Sequence, residues 1–431
     1  MSTTAEKLLE PINGLEIIDT HEHLPTEETR PAVNDVLGEW LTHYFSCDLL
    51  SAGLSLADLD KVRDPKRDLH ERWAMVAPAW HAAESTGYGR SLALAARDIY
   101  DIPDINGKNI GELNKRFLAA RAAGGHHKRV LRDLSRIAVC IRDGYLPQEQ
   151  ACVDPYVFAM RPDPFIDLRH YQDARARAAE VDMSVHSLED WVEVTRRHIS
   201  KAMSEKRVVC LKSGLAYARS LRYDKASHAD AEREFLRLFE DRHLPDWRPP
   251  MRLGPAFDNY MQHQICGIAD DLKLAYQFHT GIHEGSGNIL YDSNPVLLSN
   301  LFLEYRNVRF DIFHMGYPYV MELGVLAKNF PNVFIDMCWG HVISPEASRR
   351  ALVEWLDTVP ANKISAFGGD YGFVDGVYGH QYIARRNVAA ALAVKVDDGS
   401  MSLTRATEIA TWVFVDNPGR LFGLDHSPSS T

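Results

Sequence analysis

Apolar, β-branched runs alternate along this chain with stretches whose apolar residues recur at helical spacing. That alternation is the signature of a mainly parallel sheet wrapped by helices. The runs predict strands at 14–19, 136–142, 156–161, 207–212, 274–279, 308–314, 333–338 and 364–369. Between them, helical spacing predicts helices over Leu188 to Met203, Ala229 to Glu240, Pro295 to Tyr305, Tyr319 to Lys328 and Ser348 to Thr358. Asn294-Pro295 and Ser344-Pro345-Glu346 supply N-cap and first-turn chemistry for two of these. Eight strands is the count of a closed cylinder, so the expected fold is α/β, a (β/α)8 TIM-type barrel. One connection breaks the rhythm: residues 31–130 separate the first two strands, far beyond an ordinary βα loop. Helix formers and aromatics (Trp40, Tyr44, Phe45, Trp73, Trp80, Tyr88, Tyr100 and Phe117) fill it. It reads as a large α-helical insert after the first strand, covering the barrel mouth or making a subunit contact, with 1–30 and 131–431 forming the barrel. Gly124-Gly125-His126-His127-Lys128-Arg129 either closes this insert or meets an anionic group.

The polar residues at the ends of the runs share one kind of chemistry. Ile17-Ile18-Asp19-Thr20-His21-Glu22-His23 places two histidines at i and i+2. Side chains alternate along a strand, so both imidazoles leave on the same face and can grip one metal ion. Other runs lead to Lys212, His279, His314 and Asp370. In a barrel of this kind, active-site groups gather at the carboxyl ends of the strands, where all of these fall. Just beyond the same ends lie Arg161, Tyr217, Arg219, His283, Glu284, Trp339, His341, Tyr371 and His380. Arg161 or Arg219 is a candidate bidentate clamp for a substrate carboxylate. Tyr217, Trp339 and His341 are candidates for a substrate wall.

Composition narrows the field. With 45% hydrophobic and 25% charged residues in 431, the chain has the make-up of an ordinary soluble globular protein. Its net charge of −11 argues against nucleic acid, whose backbone selects a basic face. No apolar run reaches the ~18 residues of a membrane span, and the N-terminus lacks the basic start and apolar stretch of a secretory signal. The expected compartment is therefore the cytoplasm. The six cysteines form no CxxC pair, which argues against a zinc site of paired thiolates and against a disulfide framework; Cys140, Cys210 and Cys338 lie inside apolar runs as small buried hydrophobes.

Five fragments, in order, resemble the amidohydrolase superfamily, in its amidohydrolase-related branch that includes the N-terminal domain of FluG-type fusions. They are Asp19-Thr20-His21-Glu22-His23, Leu211-Lys212-Ser213-Gly214-Leu215-Ala216-Tyr217, Phe278-His279-Thr280-Gly281, His314-Met315-Gly316-Tyr317-Pro318-Tyr319 and Phe367-Gly368-Gly369-Asp370-Tyr371. The resemblance covers roughly 14–30 and 200–425 and leaves the insert unexplained. It implies metal binding by His21, His23, Lys212, His279, His314 and Asp370. Imidazoles and a carboxylate suit zinc, iron, manganese or nickel, so the donor set alone does not choose the metal; zinc is the expected ion, with iron or manganese as alternatives, one or two per chain. Lys212 ligates only if neutral or carrying a carbamate that bridges two metals; otherwise it is a charge partner for a carboxylate. Asp370 is expected both to ligate and to accept a proton from bound water, with His314 a ligand or, at a single-metal centre, a donor to substrate. The expected activity is hydrolysis of an amide or related C–N bond in a small carboxylated substrate. A dimetal Fe/Mn oxygenase, an isomerase or a decarboxylase on the same scaffold is the alternative, and a scaffold subunit of a hetero-oligomeric enzyme a third. A homo-oligomer is the expected assembly.

Overall fold

The computed structural model describes residues 2–30, 35–144, 155–240 and 252–424; Cys152 and the first residues of the expected insert, 31–34, lie outside these. Eight strands form one sheet: β1 (Ile17–Glu22), β2 (Ile137–Asp143), β3 (Tyr156–Met160), β4 (Val208–Ser213), β5 (Ala275–Phe278), β6 (Arg309–Ile312), β7 (Val333–Asp336) and β8 (Ile364–Ser365). Each pairs in parallel with its neighbour in the chain, in the order β1 to β8. The expected barrel is therefore the observed architecture, and burial on both faces explains the near-continuous apolar runs.

The cylinder is nearly closed, and the seam lies between β8 and β1. Three backbone hydrogen bonds cross it: Thr20 N to Phe367 O (3.1 Å), Asp370 N to His21 O (2.9 Å) and His23 N to Tyr371 O (3.2 Å). β8 is shorter than the expected 364–369 because Gly368 and Gly369 run flush against neighbouring side chains. A Cβ on Gly369 would stand 1.7 Å from Glu22 Oε1, and one on Gly368 2.5 Å from Thr20 Oγ1. Carboxylates of β1 serve these amides instead of a strand ladder: Gly369 N donates to Asp19 Oδ1 (3.0 Å) and Tyr371 N to Glu22 Oε2 (2.8 Å).

The barrel interior beneath this end is polar. Gln277 donates across it to Thr20 O (3.1 Å) and to Asp311 Oδ2 (3.3 Å), and Asp19, Glu22, Asp311 and Asp336 are fully buried around it. Burial pushes Asp19 and Asp336 up to about 7, and Glu22 and Asp311 well above the carboxylate range, so these groups hold protons rather than isolated charges. Elsewhere the barrel takes an ordinary apolar lining, where Leu421 and Phe422 pack with Ile141, Val157, Ala159, Cys210 and Ala275.

The outer helices follow their sequence signals closely. The helix Leu188–Lys206 opens on a capping box between Ser187 and Asp190. Pro345–Thr358 begins with Ser344 accepting from Ala347 N and proline in the first turn. Pro295 to Leu298 forms a 3-10 turn before the helix Ser299–Glu304, with Asn294 capping it.

Between β1 and β2 the chain carries helices Val36–Trp40, Phe45–Ser51, Leu56–Arg63, Leu69–Ala83, Gly87–Tyr100 and Ile110–Ala123. Their aromatics are largely buried, including Trp40, Tyr44, Trp73, Trp80 and Phe117. His126, from the glycine-led segment, does meet an anionic group, Asp375 of the long helix Val374–Asp397. That carboxylate is fully enclosed: His126 Nε2 lies 2.8 Å from Oδ1, while Trp40 Nε1 (2.9 Å) and Tyr100 OH (2.8 Å) donate to Oδ2. The backbone amides of His126 and His127 donate to Glu27. Among the described residues, no helix is long and apolar enough to cross a membrane.

Candidate metal centre

His21 and His23 leave the end of β1 with ring centroids 4.9 Å apart. Two carboxylates face them. Asp370, just past β8, sets Oδ1 3.1 Å from His23 Nε2 and 3.4 Å from His21 Nε2. Asp143, the last residue of β2, sets Oδ2 3.7 Å from His23 Nδ1 and 3.8 Å from His21 Nε2. Behind Asp143 stand Lys212 Nζ at 3.7 Å and Arg161, which donates through Nε (2.8 Å) and Nη2. On the inner side, His314 Nδ1 lies 3.8 Å from Asp370 Oδ2. His314 Nε2 contacts His279 Nδ1 at 2.8 Å, and His279 Nε2 contacts Ile282 O at 3.0 Å. The two oxygens of Asp370 thus serve two different groups of imidazoles.

The electrostatics prepare these groups for a cation. Burial holds His21 and His279 well below the usual histidine value and His314 down to about 4, so the rings are neutral and keep lone pairs. Burial alone would push Asp143 up; Lys212 above all, with His21, His23 and the Arg161 hydrogen bond, outweighs it and holds the carboxyl low. Burial is likewise outweighed at Asp370, chiefly by the hydrogen bond from His23.

A divalent ion fits the residues present. Both ring nitrogens of His21 are buried without a hydrogen-bond partner, an expensive state unless something else occupies them. Donor atoms of His21, His23 and Asp143 lie within 4.8 Å of one another. Neutral imidazoles with carboxylates suit zinc, iron or manganese alike.

Backbone strain concentrates in the same place. His314 (φ 63°), Met315 (57°), Trp339 (61°) and Asp370 (59°) are left-handed without being glycine, at the ends of β6, β7 and β8. Such conformations cost energy and persist where the surroundings over-determine them. At Asp370 they do: its amide binds His21 O, and Tyr44 OH donates to its carbonyl (2.5 Å).

Of the residues singled out in the sequence, His21, His23, Lys212, His279, His314 and Asp370 converge. Lys212 stands as a charge partner to Asp143, with its ammonium also 5.7 Å from the Phe313 ring centre. Trp339 is buried, stacked on Tyr44 at 4.4 Å and approaching His314 at 5.1 Å. Tyr217, half exposed, packs on His279 (4.6 Å) and His283 (4.5 Å) and donates no bond to the imidazoles. With His283 and Glu284 it lines a cavity of about 310 Å³ beside the centre.

Two expectations are corrected. Arg219 is not a free clamp: its donors are taken by Asp258, Asn259 and the carbonyls of Ser220 and Arg222. His341 is not a wall residue, because it is fully buried with Nε2 at 2.9 Å from Ala366 O and Nδ1 facing Asn387. His380 is equally enclosed, against Gly369 O, and Tyr371 packs beneath Tyr44. Sequence reasoning missed Asp143, Tyr44 and His43, whose ring lies against those of Tyr44 (3.9 Å) and Tyr371 (5.9 Å). Asp143 had a readable signal, since it ends an apolar run at a strand terminus like the other candidates. His43 and Tyr44 had none, because no periodicity relates a helical connection to a strand end.

The FluG protein of Emericella nidulans is 28% identical over 257 residues, which is 54% of this chain and 27% of that one, so the match spans about a quarter of its length. Uronate isomerase of Corynebacterium efficiens is 22% identical across 97% of this chain and 95% of its own. The crystal structure of uronate isomerase from Thermotoga maritima superposes with a TM-score of 0.79 over 98% of both chains at 15% identity, a likeness of fold. A family model for amidohydrolases (Amidohydro_2) matches residues 155–424, the stretch from β3 through β8 that supplies Lys212, His279, His314 and Asp370. Well over half the chain fits it, and with the barrel and the ligand-type residues at its strand ends, the chain belongs to the amidohydrolase family, as an enzyme of that metal-dependent superfamily.

Proposed function

We propose that this enzyme is a metal-dependent hydrolase that opens an amide or related C–N bond in a small carboxylated substrate. The observation that carries the reading is the bifacial Asp370, with Oδ1 3.1 and 3.4 Å from the β1 imidazoles and Oδ2 3.8 Å from His314. His21, His23, Asp143 and Asp370 are the residues that would hold a divalent ion, zinc being the first choice. Such an ion supplies Lewis acidity to a carbonyl and lowers the pKa of its water toward neutrality. Asp370 has one oxygen left for a proton, and its position between the two imidazole groups lets it take that proton from water and return it to the leaving nitrogen. Tyr217, half exposed on the wall of the adjacent cavity, flanks the opening. Arg161 spends Nε and Nη2 on Asp143 but keeps 42% of its side chain exposed, which leaves an edge for a substrate carboxylate.

A second reading is isomerisation of a uronate, favoured by one observation: likeness to uronate isomerases extends over nearly the whole of both chains, helices between β1 and β2 included. There, Asp370 would move a proton between neighbouring carbons rather than from water to nitrogen.

One experiment separates them. The chelator-stripped chain, reloaded with Zn²⁺, Mn²⁺ or Fe²⁺, is offered N-acyl amino acids and uronates in D₂O. Amine release supports the hydrolase; deuterium appearing on uronate carbon without amine release replaces it with the isomerase. Turnover that survives metal removal sinks both.

A further inference from the structure

We propose that the chain binds a small organic anion at the end of the barrel opposite the metal centre, with Ser135, Arg136 and Arg386 on the charged head and Ala93, Leu94 and Ile383 against an apolar body.

Two joined cavities form the site. One, of about 360 Å³, opens at the amino ends of β1 and β2, where Ser135 and Arg136 lead into β2 and Asn13 lies near the end of the helix Thr3–Gly14. The other, of about 380 Å³, lies between the helices Gly87–Tyr100 and Val374–Asp397, over Ala93, Leu94, Ile383 and Ala390. Tyr382 and Arg386 line both, and each cavity has the size of a small-ligand pocket. From Arg136 the chain runs the length of β2 before it reaches Asp143, which at ~3.3 Å per residue sets the head roughly 20 Å from the centre. Chemistry in such barrels stays at the carboxyl ends of the strands, so the occupant here is an effector rather than a substrate.

Charge selects an anion. Arg136, Arg385 and Arg386 line one cavity of a chain whose net charge is −11. Arg385 is buried and donates to Ile12 O, Leu15 O (3.2 Å), Ser135 O (2.9 Å) and Gln381 Oε1 (2.8 Å), with no carboxylate paired to it among the described residues. Those carbonyls end two helical turns, whose partial charges offset only part of a full positive charge. Burial, and then repulsion from Arg136, holds its guanidinium down to about 10. Arg386 is exposed and, among the described residues, makes neither a hydrogen bond nor an ion pair; it lies 5.6 Å from the Tyr382 ring centre. Arg136 gives Nε to Gly14 O (3.1 Å), and its Nη2 has only Glu16, at 3.9 Å. Forked guanidiniums of this kind match the oxygens of a phosphate or carboxylate.

An uncharged group points the same way. Ser135 is fully buried in the wall of this cavity, and its Oγ has no hydrogen-bond partner. Such an orphan is costly, and an anionic oxygen in the cavity accepts its hydrogen. Earlier on the helix that carries Arg386, His380 meets Gly369 O at 3.0 Å, next to Asp370. The occupied site therefore lies on an element that also braces the strained turn of the centre.

The test is calorimetric titration of the full chain with phenyl phosphate, inorganic phosphate and benzyl alcohol. Phenyl phosphate is expected to bind at least about tenfold more tightly than either fragment, and Arg386→Gln and Arg136→Gln each to weaken it about tenfold. Ala93→Trp, which fills the apolar lobe from an exposed position, should erase the advantage over inorganic phosphate. Ser135→Ala removes a hydroxyl that the fold does not use and should weaken binding several-fold; should it fail to fold, the exposed positions decide. Arg161→Gln, at the metal centre, should leave the affinity as it was. A loss there instead moves the anion to the centre and overturns the site. Equal affinity for phenyl phosphate and inorganic phosphate, no effect of Arg386→Gln, or no binding at millimolar phenyl phosphate overturns it as well. A dimer in sedimentation that Arg386→Gln dissolves, in a chain blind to phenyl phosphate, gives these arginines to a second copy instead. None of these outcomes bears on the proposed hydrolase.

Discussion

The strand ends and the helices between β1 and β2 act on the same loop in different ways. Strand ends supply side chains: His21, His23, Asp143, His279, His314 and Asp370 all project from the carboxyl ends of β1, β2, β5, β6 and β8 or just past them. The helices contribute grip. Tyr44 OH holds the Asp370 carbonyl, and Trp40 and Tyr100 join His126 around Asp375, five residues further on. Reactive groups thus come from the sheet, and the connection between the first two strands keeps one of them in a strained turn.

The deepest cut should come on the sheet side. Asp370→Asn is expected to lower kcat by about 10²–10⁴-fold and to weaken metal retention, because it removes both a ligand and the proton acceptor. Turnover and metal content measure it. On the helical side, Asp375→Asn puts an amide N–H where a donor already points, and should cost about 3 kcal/mol of unfolding free energy in urea titration while kcat falls less than tenfold. If Asp375→Asn instead cuts kcat as deeply as Asp370→Asn at unchanged stability, the division of labour is wrong.

pH sharpens the contrast from beneath the sheet. Asp336, raised by burial to about 7, keeps its proton in the folded chain, whereas an unfolded aspartate releases it near pH ~4. The native state is favoured below that value and loses the advantage as pH rises toward 7. Urea midpoints of the metal-free protein should fall across this window, and Asp336→Asn should flatten the slope; an unchanged slope would show that the carboxyl is ionised throughout. The smallest effect belongs to Tyr44→Phe, about 1 kcal/mol for one hydrogen bond, with a modest loss of metal affinity rather than of folding. Equilibrium dialysis with Zn²⁺ checks it.

What was legible in the sequence follows the same division. Apolar runs and their polar last residues located seven of the strands to within a few positions and six residues of the centre, because a strand buried on both faces reads as a near-continuous apolar run and its end is where the polar groups stand. β8 was overextended because Ile364 to Gly369 reads as one apolar run, while the packing of Gly368 and Gly369 against Thr20 and Glu22 is a tertiary fact. Arg219 and His341 sat at the right ends but were claimed by Asp258, Asn259, Ala366 and Asn387, partners remote in sequence. The proton-sharing acids Asp311 and Asp336 were hidden for a related reason: each lies inside an apolar run, where nothing local distinguishes a buried carboxyl from an exposed one.

The seam between β8 and β1 gives the centre a mechanical meaning. Three backbone hydrogen bonds fasten those margins, and the groups that would hold the ion sit on either side: His21 and His23 on one margin, Asp370 on the other. An ion bound there is a clasp as much as a reagent. It ties the first turn of the cylinder to the last, so the chain completes its hoop and its chemistry in the same act.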